Sequence, residues 1–296
     1  MTNPLRIGTR GSPLALAQAR MVADALAAHG HAGEIVPITT TGDIVQDRPL
    51  AEIGGKALWT KELDRALLNG RTDLSVHSMK DVETIRPDRL AIAAMLARAD
   101  LRDRLIGAGR IADLREGAVV GTSSPRRAAQ LLARRPDLKI VTLRGNVQTR
   151  LAKVENGEID ATLLAAAGME RLGIDAGSPL DDLLSAPAQG AVGVEILSTR
   201  EDLRDLLGAI DDPPTSRCVR TERAFLAALG GDCHSAVAAR AVIEGGFVRL
   251  DAEILSADGR EVRSGTLLLD GGATAADLAR ALLGKASPAL RAMFGR

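Results

Sequence analysis

Short apolar runs alternate with amphipathic stretches through the first two thirds of the chain. Apolar runs and period-two alternation predict strands, whereas apolar residues spaced by three or four positions predict helices. The predicted elements are strands at residues 5–7, 35–39, 74–77, 119–120, 140–143 and 159–164, and helices at residues 13–28, 60–68, 125–134 and 147–155. Strands that alternate with helices in this way are typical of α/β domains.

These elements fall into two halves that repeat one local pattern. In each half a strand is followed by hydroxyl residues and a proline, so Ser12 and Ser124 are predicted N-caps with proline at the first helical position. Later in each half an Asn-Gly pair, at 69–70 and at 156–157, predicts the end of a helix before an aspartate that begins a strand. We therefore infer two similar α/β domains.

The pattern changes after residue 211. The later elements are a helix at 215–229, strands at 236–243, 247–255 and 261–269, and a final helix from Ala273, which predict a small α+β domain with a three-stranded sheet. The predicted domains are residues 1–98 plus 191–211, residues 99–190 and residues 212–296. Crossings near 97–102 and 185–192 join the first two domains and predict a cleft, where helix N-termini favour anions.

Composition excludes several classes of partner. The chain has 38 basic and 38 acidic residues, so no overall positive field is available to hold nucleic acid. Its aromatic residues are Trp59 and three phenylalanines, too few for a base-stacking surface. The chain opens without an apolar targeting segment, and no run reaches membrane-spanning length. We expect a reduced, cytoplasmic, monomeric protein with no membrane or nucleic-acid partner.

Most of the basic residues are arginine, since only six of the 38 are lysine. The arginines that the pattern brings to strand ends are Arg126, Arg127, Arg144 and Arg150 in the second half, with Arg10 in the first half and Arg171 further along. Guanidinium groups bind carboxylates through paired hydrogen bonds, so this cleft suits a ligand with several carboxylates. A solvated surface position is the alternative for any single arginine.

Asp81 is the candidate catalytic residue. It follows the short apolar strand at 74–77, at the edge where ligands bind in open α/β sheets. A carboxylate among cations is expected to be ionised, which suits it to stabilise a developing positive charge or to pass a proton. The alternative is a structural salt bridge between Asp81 and an arginine.

Cys233 lies in the turn Gly-Gly-Asp-Cys-His, between a predicted helix and a predicted strand. A thiol in such a turn is expected to be exposed and could carry a group covalently, although burial as a small apolar residue is the alternative. Cys218 lies within an amphipathic helix, where packing is the better interpretation. The four histidines and two cysteines are scattered without ligand spacing, so no metal site is expected.

Several short sequence motifs, spread over nearly the whole chain, together resemble those of the porphobilinogen deaminase family, also called hydroxymethylbilane synthases. These motifs lie at residues 77–82, 121–127, 143–150, 189–193 and 229–238. The resemblance implies three domains, of which the first two are α/β domains that form a periplasmic-binding-protein-like pair around a cleft. It also implies a dipyrromethane cofactor, made from the enzyme's own substrate and attached to Cys233 through a thioether.

The resemblance further implies a transferase reaction. Four porphobilinogen molecules are joined head to tail, each with loss of ammonia, and water then releases the linear hydroxymethylbilane. Each pyrrole carries an acetate and a propionate, which gives the arginine-rich cleft its ligand. By the same resemblance, Asp81 hydrogen-bonds pyrrole N–H groups and stabilises the azafulvenium cation that is left when ammonia departs.

The family's binding residues carry over to matching positions of this chain. Residues that resemble the family's cofactor anchors are Lys80, Thr122, Ser123, Ser124, Arg126, Arg127, Asn146 and Arg150. Residues that resemble substrate contacts are Arg10, Ser12, Arg144, Arg171 and Gln189, with Lys56 and Trp59 in a loop expected to cover the site.

The chain departs from the family pattern at some positions, and two rival hypotheses stay open. Glu83 replaces a proline and is expected to loosen the loop after Asp81, and residues 234–237 differ from the family after Cys233. One rival is a non-catalytic two-domain protein that captures a small anion, which would have no use for Cys233 or for a third domain. The other is an inactive relative that keeps the arginines but fails to load the cofactor.

Overall fold

The structure is a computed structural model that describes residues 3–40, 60–231 and 235–294. In chain order, the elements within these residues are β1 (Leu5–Arg10), α1 (Pro13–Ala28), β2 (Gly33–Ile38), α2 (Lys61–Leu68), β3 (Leu74–Ser78), β4 (Leu90–Met95), β5 (Asp103–Ile106), β6 (Val119–Gly121), α3 (Pro125–Arg134), β7 (Lys139–Val141), α4 (Val147–Glu155), β8 (Ala161–Ala165), α5 (Ala166–Arg171), β9 (Ser178–Leu180), β10 (Val192–Leu197), α6 (Glu201–Leu207), α7 (Pro213–Ala228), β11 (Val237–Glu244), β12 (Phe247–Leu255), β13 (Val262–Leu269), α8 (Ala275–Lys285) and α9 (Pro288–Arg291).

The chain divides into two compact units. The first unit is Met1–Ala99 with Gly190–Ser216, and the second unit is Asp100–Gln189 with Arg217–Arg296. The boundaries of the three predicted domains stay a prediction.

A mixed sheet forms the centre of the first unit. Over the described residues its strand order is β2-β1-β3-β10-β4, with β1 parallel to β2 and β3, and β10 antiparallel to β3 and β4. Ile7 and Val194 on the sheet are fully buried with Val22 and Leu26 of α1. The helix therefore covers one face of the sheet, as the apolar spacing of its sequence predicts.

The second unit contains a sheet with the same plan. Its order over the described residues is β7-β6-β8-β5-β9, with β6 parallel to β7 and β8, and β5 antiparallel to β8 and β9. Each sheet thus has three parallel strands, then one strand that is antiparallel to both of its neighbours, and a last strand that runs in the direction of the first three. The prediction of two similar α/β domains is confirmed.

The predicted N-caps of α1 and α3 and the predicted ends of α2 and α4 are also confirmed. Ser12 and Ser124 cap α1 and α3 with their side-chain oxygens, each with proline at the start of the helix. Gly70 and Gly157 have φ angles of 65° and 73° just after α2 and α4. Glycine adopts this left-handed conformation without the steric cost that a Cβ atom imposes, so both helices end where the Asn-Gly pairs predict.

The aspartate that follows each Asn-Gly pair has the same role in both sheets. The Oδ2 atom of Asp73 accepts a hydrogen bond from the backbone N–H of Arg6 at 2.8 Å, and that of Asp160 accepts from Val119 N–H at 2.6 Å. Each carboxylate therefore fixes the start of the neighbouring strand. The repeated sequence pattern has a physical cause, because the same strand junction is built twice.

The last part of the second unit is a three-stranded antiparallel sheet in the order β11-β12-β13, as predicted. Phe225 of α7, Leu250 and Ile254 of β12 and Ala279 of α8 are fully buried in one apolar cluster. Cys218 is a buried residue of this cluster, which confirms its interpretation as a packing residue.

Candidate functional site

A pocket in the first unit lies where β1 and β3 end and α1 begins. Parallel strands bring their carboxyl ends to one edge of a sheet, and the helix that follows β1 starts at the same edge. The polar residues that line this pocket are Arg10, Ser12, Gln18, Thr60, His77, Ser78 and Asp81, and its apolar lining comes from Leu14, Ala15, Val76 and Val82.

Asp81 ends a short 3₁₀ turn, Met79–Asp81, directly after β3. Met79 is fully buried, and its backbone N–H donates to the carbonyl of Ala191 at 3.1 Å, so the turn is anchored beneath Asp81. Within the part of the chain that the structure describes, the Asp81 carboxylate forms no ion pair. A structural salt bridge therefore does not account for Asp81 there. Lys80 is half-buried in the same turn.

Arg10 and Ser12 give the pocket a positively polarised side. Arg10 is half-buried at the end of β1, and the Ser12 Oγ accepts from Ala15 N–H at 3.4 Å in the first turn of α1. The first N–H groups of a helix carry partial positive charge, which adds to the charge of the guanidinium. An anionic group near Arg10 and a cationic group near Asp81 could therefore bind in one pocket.

His77 connects the pocket to a buried carboxylate that the sequence analysis did not single out. Its Nε2 lies 3.1 Å from Glu195 Oε2, and Glu195 is fully buried in the middle of β10. Arg86 also donates to Glu195, from Nε at 2.8 Å and from Nη2 at 2.9 Å. Burial opposes ionisation of Glu195, but the hydrogen bonds and charges of His77 and Arg86 outweigh burial and lower its pKa to about 2.

Arg86 also ties the loop after Asp81 to α2. Its guanidinium pairs with Glu83 and with Asp64, and both Glu83 oxygens accept from the hydroxyl of Thr60 at 2.9 Å. The expectation that Glu83 loosens this loop is wrong, because its carboxylate is held by two partners. Burial, ahead of the opposing effect of Arg86, raises the pKa of Asp64.

A second set of predicted residues forms a buried cluster in the second unit. Arg126 Nη2 donates to Asp103 Oδ2 at 2.8 Å, and Arg127 Nη2 donates to Asp103 Oδ1 at 2.7 Å. The exposed fractions are 3% for Arg126, 6% for Arg127 and 1% for Asp103. Burial opposes ionisation of Asp103, but the two arginines lower its pKa well below the usual range.

Backbone and side-chain amide oxygens accept hydrogen bonds from the Nη1 groups of Arg126 and Arg127. Arg126 Nη1 donates to Gln130 Oε1 at 2.9 Å and to Leu184 O at 3.0 Å, and Arg127 Nη1 donates to Leu163 O at 2.9 Å. Both Nε atoms are buried and have no hydrogen-bond partner among the described residues. Burial lowers the pKa of Arg126, as expected for a cation away from water.

Gln189, predicted as a substrate contact, supports Asp103. Its Nε2 donates to Asp103 Oδ1 at 3.0 Å and to Leu101 O at 2.6 Å. The preceding Ala188 has φ of 61°, the one positive φ of a non-glycine residue within the described ranges. Its N–H donates to the buried Glu222 at 2.6 Å, and Glu222 also accepts from Ala241 N–H at 2.7 Å.

The remaining predicted residues of the second unit take part in local contacts. The Thr122 hydroxyl oxygen accepts from the N–H of Ser124, and the Ser123 hydroxyl donates to Leu143 O. Ser124 caps α3 and Asn146 caps α4. Arg150 Nε donates to Gly145 O. Arg144 and Arg171 are half-buried, and burial lowers the pKa of Arg171. Lys56, Trp59 and Cys233 lie outside the described residues. All these cofactor and substrate assignments stay predictions.

The described residues contain no group of three or more His, Cys, Asp or Glu side chains that could hold a metal ion. None of their helices combines the length and apolar character that a membrane span requires.

The chain is similar to known proteins over nearly its whole length. Residues 5–205 match the family model described as porphobilinogen deaminase, dipyromethane cofactor binding domain, and residues 216–285 match the model described as porphobilinogen deaminase, C-terminal domain. The porphobilinogen deaminase of Sphingopyxis alaskensis is 56% identical, covering 99% of this chain and 97% of that protein. Those of Paracoccus denitrificans and Nitrobacter winogradskyi are 51% and 45% identical, covering 96% and 97% of this chain and 95% of each relative.

Proposed function

The chain belongs to the porphobilinogen deaminase family, and on this basis we propose that it is a transferase that makes hydroxymethylbilane. It joins four porphobilinogen molecules head to tail, with one ammonia lost at each step, and water releases the linear product. The observation that carries the proposal is the pocket that Asp81 shares with Arg10 and Ser12.

The charges of this pocket match the charges of the substrate. Porphobilinogen carries two carboxylates and one aminomethyl group, which is a cation at neutral pH. Arg10 and the first turn of α1 bind a carboxylate. The Asp81 carboxylate accepts a hydrogen bond from the pyrrole N–H and stabilises the positive charge that develops on the substrate ring as ammonia leaves. A fixed opposite charge near a developing charge is an effective form of catalysis, since it needs no reorganisation during the reaction.

The arginine pair of the second unit fits a cofactor with carboxylates. Arg126 and Arg127 share one carboxylate, Asp103, so the three groups carry an excess positive charge, and two buried Nε–H donors have no partner among the described residues. A dipyrromethane has four carboxylates. When bound, the dipyrromethane supplies the nucleophilic pyrrole carbon to which the first substrate is joined.

The other assignments follow the family resemblance. We propose that Cys233 holds the cofactor through a thioether, and that its carboxylates contact Arg126, Arg127, Arg150 and Lys80, with Thr122, Ser123, Ser124 and Asn146 nearby. We assign the incoming substrate to Arg10, Ser12, Arg144, Arg171 and Gln189, with Lys56 and Trp59 beside it. A monomer in the cytoplasm stays a prediction.

Intact mass of the purified protein tests the proposal. We expect a gain over the sequence mass equal to two porphobilinogens less two ammonia, which is lost in Cys233→Ser. Cys218→Ala is the matched control, because that thiol is buried in the core of the second unit, and this variant keeps the gain. A wild-type protein that stays unmodified after incubation with porphobilinogen would instead favour an anion-binding protein or an inactive relative.

A further inference from the structure

We propose that Asp103 is the positioning residue of the arginine pair. Its carboxylate holds Arg126 and Arg127 ready for the carboxylates of the cofactor and serves as their counter-ion while the cofactor is absent. This inference rests on the proposed function, since it concerns how the cofactor is received. Neither the motifs nor the family resemblance identified Asp103.

The sheet topology brings Asp103 to the arginines. β5 runs antiparallel to β8, so its first residue, Asp103, pairs with Ala165 at the end of β8. β8 is parallel to β6, and α3 begins shortly after β6 ends. The first residue of β5 and the first turn of α3 therefore meet at one edge of the sheet, although 23 residues separate Asp103 from Arg126 along the chain.

The contacts of Asp103 fix the arrangement of the two guanidinium groups. Each carboxylate oxygen accepts from the Nη2 of a different arginine, so the separation of the two Nη2 atoms is set by one rigid carboxylate. Two adjacent buried cations would otherwise repel each other without a carboxylate between them. Gln189 braces the carboxylate from the side, so its orientation does not depend on the arginines alone.

The geometry leaves donors on both arginines for a ligand. The Nη2 group of each arginine donates to Asp103, and the Nη1 groups donate to amide and backbone oxygens. The Nε–H of each arginine is buried without a partner in the described parts of the chain. Buried donors are rarely left unsatisfied, so these two point to a partner that binds later. Carboxylates are the acceptors that guanidinium groups bind most strongly.

Two variants separate this role from that of an ordinary ion pair. Asp103→Asn removes the charge, whereas Asp103→Glu keeps the charge and displaces it by one methylene. The control is Asp113→Glu, because Asp113 pairs with Arg110 on the exposed surface of the same unit. Each protein is produced without cofactor, in cells that cannot make porphobilinogen, and then mixed with porphobilinogen while intact mass is followed over time.

We expect Asp103→Glu to capture the cofactor at least tenfold more slowly than wild type, whereas Asp113→Glu captures it at the wild-type rate. Capture by Asp103→Glu at the wild-type rate would overturn the positioning role. A wild-type protein with no mass gain would count against the proposed function instead, so the two failures are distinguishable.

Thermal unfolding tests the counter-ion role. We expect Asp103→Asn to lower the unfolding midpoint at least twice as much in the Cys233→Ser background, which carries no cofactor, as in the loaded protein. Asp103→Asn protein that folds with a wild-type circular dichroism spectrum but never loads would also support the proposal. If Asp103→Asn lowered the unfolding midpoint equally in the loaded and the unloaded protein, Asp103 would be only a structural ion-pair partner.

Discussion

Replacement of Glu195 by glutamine is expected to remove a large part of the stability of the first unit. Glu195 is fully buried, and its carboxylate accepts from His77 and twice from Arg86. A carboxyl group whose pKa falls from 4.5 to about 2 on folding stabilises the folded state by about 3 kcal/mol at neutral pH. Breaking a buried ion pair costs about 3–5 kcal/mol of unfolding free energy. Because Arg86 keeps Asp64 and Glu83 as partners, we expect Glu195→Gln to lower the free energy of unfolding by about 3 kcal/mol.

The pH dependence of the loss distinguishes lost charge from lost packing. Because folding depresses the pKa of Glu195, its contribution is fully present above about pH 4.5 and disappears as the pH falls towards 2. Urea unfolding followed by circular dichroism should therefore show the difference between wild type and Glu195→Gln shrinking to about half between pH 7 and pH 3. Asp202→Asn, at an exposed pair with Arg200 in the same unit, should change nothing measurable. An equal difference at both pH values, or none at either, would refute the role of the Glu195 charge.

Two predictions concern the pocket of the first unit. Asp81→Asn should fold normally but lower kcat/KM by about 10³-fold, because the developing positive charge loses its counter-charge; steady-state assays of porphobilinogen consumption test this, and normal turnover would contradict the role of Asp81. Arg10→Leu should lower kcat/KM by about 10- to 100-fold, mainly through a raised KM, since it removes a charged hydrogen bond to the substrate. An unchanged KM with a lowered kcat would place Arg10 in the chemical step instead.

The sequence predicted most of the parallel part of each sheet. β1, β3, β6 and β8 are short apolar runs between helices with strong caps, so local signals were sufficient for them. Ser12, Ser124, Gly70 and Gly157 marked helix ends because their local chemistry differs from that of helix interiors.

The strands β4, β5, β9 and β10, which complete the two sheets through antiparallel pairing, were not predicted. β10 joins the first sheet between β3 and β4 from more than a hundred residues further along the chain, and no local pattern encodes that pairing. The missed strands also explain the missed residues, because Asp103 begins β5 and Glu195 lies within β10. A single acid inside the apolar run 192–197 is a signal of a paired buried charge that sequence reading could have used.

Local motifs also could not predict what each site residue contacts. The motifs around Asp81, Arg126 and Arg127 mark segments that line a pocket or form a buried cluster, yet they did not predict that the two arginines bind a carboxylate brought by another strand. Such a contact depends on topology, and Glu83 shows the same limit, since its partners Thr60 and Arg86 are set by folding of the loop.

The two backbone contacts of Glu222 limit how this protein could be rearranged in evolution. One carboxylate in α7 supports the left-handed turn at Ala188 and the edge of β11 at Ala241. A C-terminal segment exchanged with that of a distant relative would bring its own α7 and β11 but meet a foreign turn. Such a hybrid keeps both contacts only if the two parents share the acid and the turn. The C-terminal segment is thus expected to be inherited together with residues 185–189, rather than shuffled as an independent module.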